Sequence, residues 1–360
     1  MNRFSFQRID FYLLIPAILL VFFSLATLFS IDVTLFRQQL IPLCLSVVLY
    51  FLFLNIDYRY FGYYSKYLYS MIILGFLIVL TFGTDINGSK SWLVIGNVHI
   101  QPEEFVKPFF IVVVAYFLSR SNLPNLSKYM AAIGVVIPII LLIMKQPDTG
   151  TAIVYVVTFA GMLLMFGFPL YFYLTSLLCI IIAMPIIFQF LRPFQKERLI
   201  TLLNLTSDPS GASYNAIQAL ISIGSGGFFG KGLGEGTQSV LRFLPERHTD
   251  FIFASISEST GFIGGMSVIC ISVFLLYRIF KVSMRIDNKY PYLVVIGSFF
   301  LFLVQTVINI GMNLGMLPII GITLPFVSYG GSSLITSFIV LGIVSSIGYE
   351  YKKQETLELG

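Results

Sequence analysis

The sequence predicts an all-α polytopic membrane protein of ten transmembrane helices, and three observations carry that prediction. Of 360 residues, 57% are hydrophobic and only 11% charged. The mean hydropathy is +0.90, and apolar runs near the ~20 residues needed to cross hydrocarbon recur along the whole chain. Soluble domains carry about a quarter charged residues, so the charge here could not coat that much globular mass. One membrane domain over 1–360 replaces the two or three soluble domains that the length alone suggests.

The runs fall at about 11–29, 38–55, 67–83, 104–119, 129–145, 150–168, 170–191, 250–280, 290–312 and 325–349. No small-residue cleavage site follows the first, so it is expected to stay in the mature chain. The fourth opens on Glu103, Glu104 and Lys107, and only Gly167-Phe168-Pro169 divides the sixth from the seventh. With the N-terminus inside, the cytoplasmic segments collect Arg3, Arg8, Arg59, Lys66, Arg120, Lys128, Arg278, Lys281, Arg285, Lys289, Lys352 and Lys353. The short outer segments hold Arg37, Lys90, Lys107 and Lys145. That asymmetry marks the cytoplasmic side, and N-in/C-in follows. Two long segments, about 84–103 and 192–249, then form structured loops on the outer face, the larger lying between helices 7 and 8. Inside it, Ser213 to Ile223 has apolar positions at helical spacing behind a serine cap candidate, which predicts a short surface helix.

Several chemistries are excluded at this level. The net charge of +5 is scattered with no basic run, so nucleic acid is not an expected partner. Cys44, Cys179 and Cys270 each sit in an apolar run and read as small buried hydrophobes, without a disulfide framework. The phosphate-loop pattern around Gly230-Lys231 fails twice, at Ser225 and Gly232. Gly232-Leu233-Gly234 runs into Thr237 where a dinucleotide fingerprint needs glycine. His99 and His248 are too few and too far apart for a readable zinc site, so no metal ligands are assigned.

The informative stretch is Leu244-Pro245-Glu246-Arg247-His248-Thr249-Asp250-Phe251-Ile252-Phe253, a charged cluster at the mouth of a span. In one reading Asp250 and Thr249 cap the helix that follows. In the other Asp250 is a general base, placed at partial depth among cations. Glu258, about two turns deeper, is either a functional intramembrane carboxylate or one half of a structural ion pair with a cation from another span.

On the other outer loop stands Trp92, the single tryptophan, as an interfacial anchor or a substrate platform. Glu103 and Glu104 lie one helical turn before Lys107. They form a local ion pair with it, or they orient Lys107 toward an anionic group such as a phosphate. Asp148 in Lys145-Gln146-Pro147-Asp148-Thr149-Gly150-Thr151 reads as a turn and cap. Gln305, Asn309 and Asn313 recur at i,i+4 as a polar stripe that glues helices together. After them Gly311 to Ser333 carries five glycines and two prolines at membrane depth, and broken backbone there must be buried in protein or line a wet cavity.

These residues carry a resemblance. Trp92 with Gln101-Pro102 and Lys107 belongs to it, as do Gln146-Pro147-Asp148 with Gly150-Thr151-Ala152, Gln195 and Arg198, and Tyr214 and Gln218. So do Gly226-Gly227 through Gly230, Leu244 to Phe253, and Leu324 to Ser333, which includes Ser328. Together they resemble the SEDS family (shape, elongation, division, sporulation), specifically its RodA-type peptidoglycan glycosyltransferases. Gly236-Thr237-Gln238-Ser239 leading into Phe243 to Arg247 is closer to that type than to the division-specific FtsW type. Glu103 departs from the usual pattern, standing where serine is common, and so do Ser259 and Thr149.

The resemblance implies a multi-pass enzyme of the bacterial cytoplasmic (inner) membrane that polymerises lipid II into glycan strands on the outer face during elongation. It implies as partners a class B penicillin-binding protein, other membrane proteins of the elongation complex and membrane lipids. By the same resemblance Asp250, the aspartate of the His-Thr-Asp motif, is the essential catalytic residue. No cofactor is assigned; the leaving pyrophosphate needs cations, and the expected ones, in decreasing order of preference, are Lys107, Arg198, Lys231, Arg242 and Arg247, with a divalent Mg or Mn ion as a further candidate. Trp92, Glu104, Asp148, Gln195, Glu258 and Ser328 complete the expected substrate-binding set, and the glycines of 224–236 and 311–333 are expected to bring backbone close to substrate. Two rivals remain at this level: a lipid-linked precursor flippase or other transporter built on the broken helix, and a non-catalytic scaffold. A transporter concentrates polar groups at the midplane, whereas Trp92, Lys107, Asp148, Arg198 and Asp250 gather at the outer boundary.

Overall fold

A computed structural model describes residues 8–86, 89–95, 98–120, 122–190, 196 and 213–358. It is predominantly helical. In chain order the elements are α1 (Phe11–Ile31), α2 (Val33–Asn55), α3 (Tyr58–Tyr63), α4 (Ser65–Phe82), β1 (Thr84–Ile86), β2 (Ser89–Ile95), β3 (Val98–Ile100), α5 (Pro102–Arg120), α6 (Asn125–Lys145) and α7 (Thr149–Phe166). They continue as α8 (Leu170–Phe190), α9 (Tyr214–Ser225), α10 (Thr237–Val240), α11 (Ile252–Ser283), α12 (Lys289–Asn313) and α13 (Gly331–Glu358).

Eight of the described helices, α1, α2, α4, α6, α7, α11, α12 and α13, are long and apolar enough to cross a membrane. The other two expected spans are helical as well. α5 carries Glu103, Glu104 and Lys107 in its first turns, and the apolar part of α8 is Leu170–Ala183.

Short polar residues set the helix starts by accepting orphan backbone N–H groups. Asp10 accepts from Tyr12 N and Asp57 from Arg59 N, while Asn288 accepts from Tyr290 N. Asp32 alone separates α1 from α2, ending one helix and capping the next through Thr34 N. The expected helix at 213–223 is present as α9, although Ser213 makes no side-chain cap hydrogen bond.

α12 and α13 are the most buried long helices. α12 packs against α7, α11 and α5, and α13 against α2 and α5. The outer helices turn large apolar side chains such as Phe22, Ile41 and Phe82 outward, as lipid requires. All three cysteines are exposed, which corrects their reading as buried: an apolar run shows that a helix crosses lipid, not which of its faces meets protein.

The all-α class needs a further correction at 84–86, 89–95 and 98–100, which form a three-stranded antiparallel sheet in the order β1-β2-β3. Thr84 pairs with Trp92 and Leu93 with Ile100. These strands of three to seven residues are too short for a period-2 pattern to stand out from the apolar spans around them.

Two of the 224–236 glycines let the loop pack tightly on α11. A Cβ at Gly226 would sit 2.1 Å from the Ser257 carbonyl oxygen, and one at Gly230 would sit 2.3 Å from that of Ser259. The loop therefore lies backbone to backbone on α11. It also bonds there, with Lys231 N–H donating to Glu258 O and Gly232 N–H to Ser259 O, both at 3.0 Å. Gly261 completes the seam, breaking α11 with φ 69° and ψ −164°, a region open essentially to glycine alone.

Gly261→Ala is expected to destabilise the protein by about 1–3 kcal/mol from backbone strain, with added crowding because its Cβ would lie 2.3 Å from Gly230 N. Gly134→Ala, inside α6 with nothing within 4 Å of the added Cβ, is expected to be neutral or stabilising by up to about 1 kcal/mol. Thermal unfolding in detergent checks both; equal effects at the two sites would contradict the seam.

Candidate active site

The site is assembled on the irregular stretch 314–330 that joins α12 to α13. Its backbone has left the helix, so its polar groups must find partners inside the protein. The α12 stripe supplies them. Asn309 and Asn313 are fully buried. Asn309 Nδ2 donates to the Ile322 carbonyl at 2.7 Å and to the Asp250 carbonyl at 3.0 Å. Asn313 Nδ2 donates to the same Asp250 carbonyl at 3.0 Å, and its Oδ1 accepts from Ala254 N at 3.1 Å. The stripe is glue, as expected, but it binds mainly broken backbone, with Ala254 N in the first turn of α11 as a helical partner.

The segment 244–253 folds over this stretch. Ser328 Oγ donates to the Thr249 carbonyl and accepts from Leu324 N–H, both at 2.8 Å. Tyr329 N–H donates to the His248 carbonyl at 2.9 Å, and the two rings meet edge to face at 5.3 Å. Tyr329 is fixed in turn by Gln38, and Gly330 N by Gln39. The Asp250 carboxyl lies over Gly321, where a Cβ would stand 3.5 Å from Oδ2. Phe251 occupies the N-cap of α11 without a side-chain cap bond.

The same stretch reaches the other motifs. A Cβ at Gly150 would lie 2.3 Å from the Ile320 carbonyl oxygen, which brings the start of α7 against it. Asp148 caps α7 as expected, accepting from Thr151 N at 2.8 Å and Thr151 Oγ1 at 2.9 Å. On the α5 side, Gln101 N–H donates to Ser332 Oγ at 3.2 Å, and Ser333 Oγ pairs with Thr323 Oγ1 at 2.8 Å. Lys107 makes the expected one-turn ion pair with Glu104, both buried. Glu103 is also buried, with Asp148, Glu104 and Lys107 as its charged neighbours, and the Tyr155 hydroxyl donates to its backbone carbonyl at 2.8 Å.

Glu258 finds its cation in the glycine-rich loop rather than in another span. Lys231 Nζ stands 3.3 Å from Oε1, and the carboxylate also accepts Gln238 N–H and Ser239 N–H at 2.9 Å each. Glu258 thereby holds the start of α10 against α11. Arg242 and Arg247 make no ion pair within 4 Å among the described residues, and Asp32 is the acid that faces them. Burial lowers the Arg247 guanidinium from its usual range and the nearby Arg242 adds to this. Burial likewise lowers His248; Arg247 reinforces the shift, while Glu246 and Asp32 oppose it. Trp92 is half-buried in β2, where its carbonyl accepts from Thr84 Oγ1 at 3.1 Å. Gln195 and Arg198 lie outside the described residues.

The structure thus brings Asp148, Ser328 and Asp250 around one stretch, leaves Lys107 paired with Glu104 in the first turns of α5, and gathers Lys231 and Glu258 beside α10. Sequence reasoning missed Gln38 and Gln39, which carry no pattern of their own, and did not connect Asn309 and Asn313 to Asp250. The i,i+4 stripe was the available signal.

Residues 4–353 match the FtsW/RodA/SpoVE family, described as cell cycle proteins. The chain is 36% identical to stage V sporulation protein E of Bacillus subtilis, over 86% of this chain and 86% of that one. It is also 36% identical to the peptidoglycan glycosyltransferase MrdB of Escherichia coli, over 88% and 86%. Among solved structures it is similar to a chain of a peptidoglycan synthase complex that coordinates polymerization and crosslinking, with a TM-score of 0.84, 28% identity, and 95% and 98% of the two chains covered. It is similar also to the rod shape determining protein RodA of Thermus thermophilus, with a TM-score of 0.72, 27% identity, and 94% and 96% covered.

Asn313→Leu is expected to cost about 1–3 kcal/mol for each buried backbone partner it strands, and Asn309→Leu the same. A thermal unfolding midpoint unchanged in either variant would contradict the clamp. A histidine whose folded pKa is depressed contributes stability that is complete above its unfolded pKa of about 6.5 and is lost as pH falls below it. The unfolding-temperature gap between wild type and His248→Asn is therefore expected to shrink from pH 7.5 to 5.5, and a constant gap would rule this out.

Proposed function

The chain belongs to the FtsW/RodA/SpoVE family, and from that membership we infer that it is a peptidoglycan glycosyltransferase. It is a multi-pass protein of the bacterial cytoplasmic (inner) membrane, and it polymerises lipid II into glycan strands in the service of cell shape. Beyond this we propose that ten helices span the membrane, the eight apolar ones together with α5 and α8, with both termini cytoplasmic. The lysine and arginine excess of the inner segments supports that topology. It puts 84–100, the Asp250 turn and the glycine-rich loop on the outer face. Nucleotide sugars are absent there, so the donor must carry its own leaving group, and a lipid pyrophosphate supplies one.

The observation that carries the mechanism is the half-buried Asp250, whose backbone carbonyl is held by two buried carboxamides. A base fixed in this way is pre-oriented for proton transfer. In the proposed reaction the Asp250 carboxylate takes the proton of the acceptor sugar hydroxyl as that oxygen attacks the anomeric carbon of the donor. The bond from that carbon to the pyrophosphate oxygen breaks with inversion, and undecaprenyl pyrophosphate leaves with the electron pair. No covalent enzyme intermediate forms.

The pyrophosphate charge is assigned first to Arg242 and Arg247. Lys107 and Lys231 already neutralise Glu104 and Glu258, whereas the two arginines have no such partner among the described residues. Arg198 remains a candidate from the sequence. Among the described residues no three His, Cys, Asp or Glu side chains are grouped to hold a metal. Ser328 and Asp148 act on backbone and helix starts, and are proposed to position the site rather than to contact sugar. A class B penicillin-binding protein is the proposed partner that cross-links the product.

The test is lipid II polymerisation by the purified protein with its cognate transpeptidase, comparing wild type with folded, partner-bound Asp250→Asn. Loss of a general base is expected to cost about 10²–10⁴-fold in rate. Equal glycan product from both forms would remove Asp250 as the base. Arg242→Gln and Arg247→Gln are each expected to lower kcat/KM by tenfold or more while leaving the unfolding temperature within a few degrees.

A further inference from the structure

Away from the Asp250 site, at the opposite end of the bundle in the proposed topology, a cavity of about 700 Å³ opens between α3, the C-terminal end of α5 and the start of α12. Its size falls in the ordinary range of ligand sites, about 300–1,000 Å³. The cavity exists because Gly62 lets α3 settle onto two aromatic rings: a Cβ there would stand 2.9 Å from the Tyr116 ring and 3.1 Å from the Tyr290 ring. Tyr290 is further tied to α3 by its hydroxyl, which donates to the Tyr58 carbonyl at 3.2 Å.

Three cations line this space, Arg59, Arg120 and Lys289. Arg59 is already balanced, 2.8 Å from Glu350 and 3.8 Å from Asp57. Arg120 and Lys289 are exposed, and among the described residues neither has a carboxylate within 4 Å. Their partners are rings, Tyr116 under Arg120 at 5.8 Å and Phe166 near Lys289 at 5.1 Å. Around them tyrosine hydroxyls supply neutral donors, with Tyr60 and Tyr63 largely exposed at 62% and 74%. These two cations, with no carboxylate within 4 Å, and the phenols around them form a set of donors suited to an anion. The site also sits where helices end at the membrane surface, the depth favoured by tyrosine.

We propose that this cavity binds a phosphate-bearing anion, and that its source is the headgroup of an anionic phospholipid of the inner leaflet. Basic pockets between membrane helices on the cytoplasmic side take up such headgroups. The phosphate meets Arg120 and Lys289, the tyrosine hydroxyls meet the remaining phosphate oxygens and the glycerol, and the acyl chains run down the lipid-facing side of α4, where Tyr67, Met71 and Leu74 are exposed. The proposal rests on the N-in/C-in topology for its leaflet and is independent of the transferase reading.

The experiment is thermal unfolding of the full chain in detergent, titrated with phosphatidylglycerol, with phosphatidylcholine or with inorganic phosphate. Wild type is compared with R120Q/K289Q and with K352Q/K353Q, which removes two cytoplasmic cations outside the cavity. Phosphatidylglycerol is expected to raise the wild-type midpoint, phosphatidylcholine is not, and the half-saturating concentration is expected to rise about tenfold or more in R120Q/K289Q while staying near wild type in K352Q/K353Q. Equal titrations of wild type and R120Q/K289Q, or an equal response to phosphatidylcholine, would overturn the site. A midpoint raised by inorganic phosphate as strongly as by the lipid would overturn the headgroup as the source. No arm reads polymerisation, so failure here and failure of the Asp250 mechanism are separate results.

Discussion

Two buried carboxamides one turn apart on α12 hold the rest of the outer end in place. A stretch of chain that leaves the helix at membrane depth strands its N–H and C=O groups, each costly to bury without a partner. Asn309 and Asn313 meet that demand for both the 314–330 stretch and the Asp250 turn, and a single carbonyl, that of Asp250, accepts from both. Because one pair of side chains serves two segments far apart in sequence, neither segment can shift without releasing the other. The same stretch then touches Gly150 at the start of α7 and, through Ser332 and Ser333, the start of α5. Flexible backbone would be a poor platform for a base; here the packing makes it rigid.

Charge is distributed on the same logic. Carboxylates taken out of water need a cation and hydrogen bonds, and Glu104 and Glu258 receive Lys107 and Lys231 respectively. Glu258 adds two backbone N–H donors, so it acts as a clasp between the glycine-rich loop and α11. Arg242 and Arg247 are left in surplus beside Asp32. Arg242 has φ 65°, in the left-handed region, where a non-glycine residue is uncommon and worth explaining. A surplus of positive charge beside the Asp250 turn suits the proposed reaction, whose leaving group is a pyrophosphate.

Much of the molecule was legible in the chain. Apolar runs located the long helices because a lipid-crossing segment must satisfy its backbone internally and be apolar throughout. Asp148 as a cap, the Glu104–Lys107 pair and the helix after Ser213 were also readable, because each is a contact within one or two turns. The exposure of the cysteines was not, since in a membrane both lipid and protein interior favour the same residues. The sheet at 84–100 escaped notice because its strands are shorter than the window over which alternation can be counted.

Composition and local spacing therefore determined that this protein lies in a membrane, where its helices run, and which motif holds the acid. Only the tertiary structure decided what those residues do to one another. It made Ser328 a brace for the Thr249 carbonyl, set Gly226 and Gly230 against α11, gave Glu258 its lysine from a loop, and joined the α12 stripe to Asp250. The physical reason is range. Periodicity and capping are set by neighbours within a few residues, whereas the partner of a buried carbonyl or carboxylate is whichever donor the packing brings within about 3 Å. For Asp250 that donor lies 59 residues away at Asn309 and 63 at Asn313.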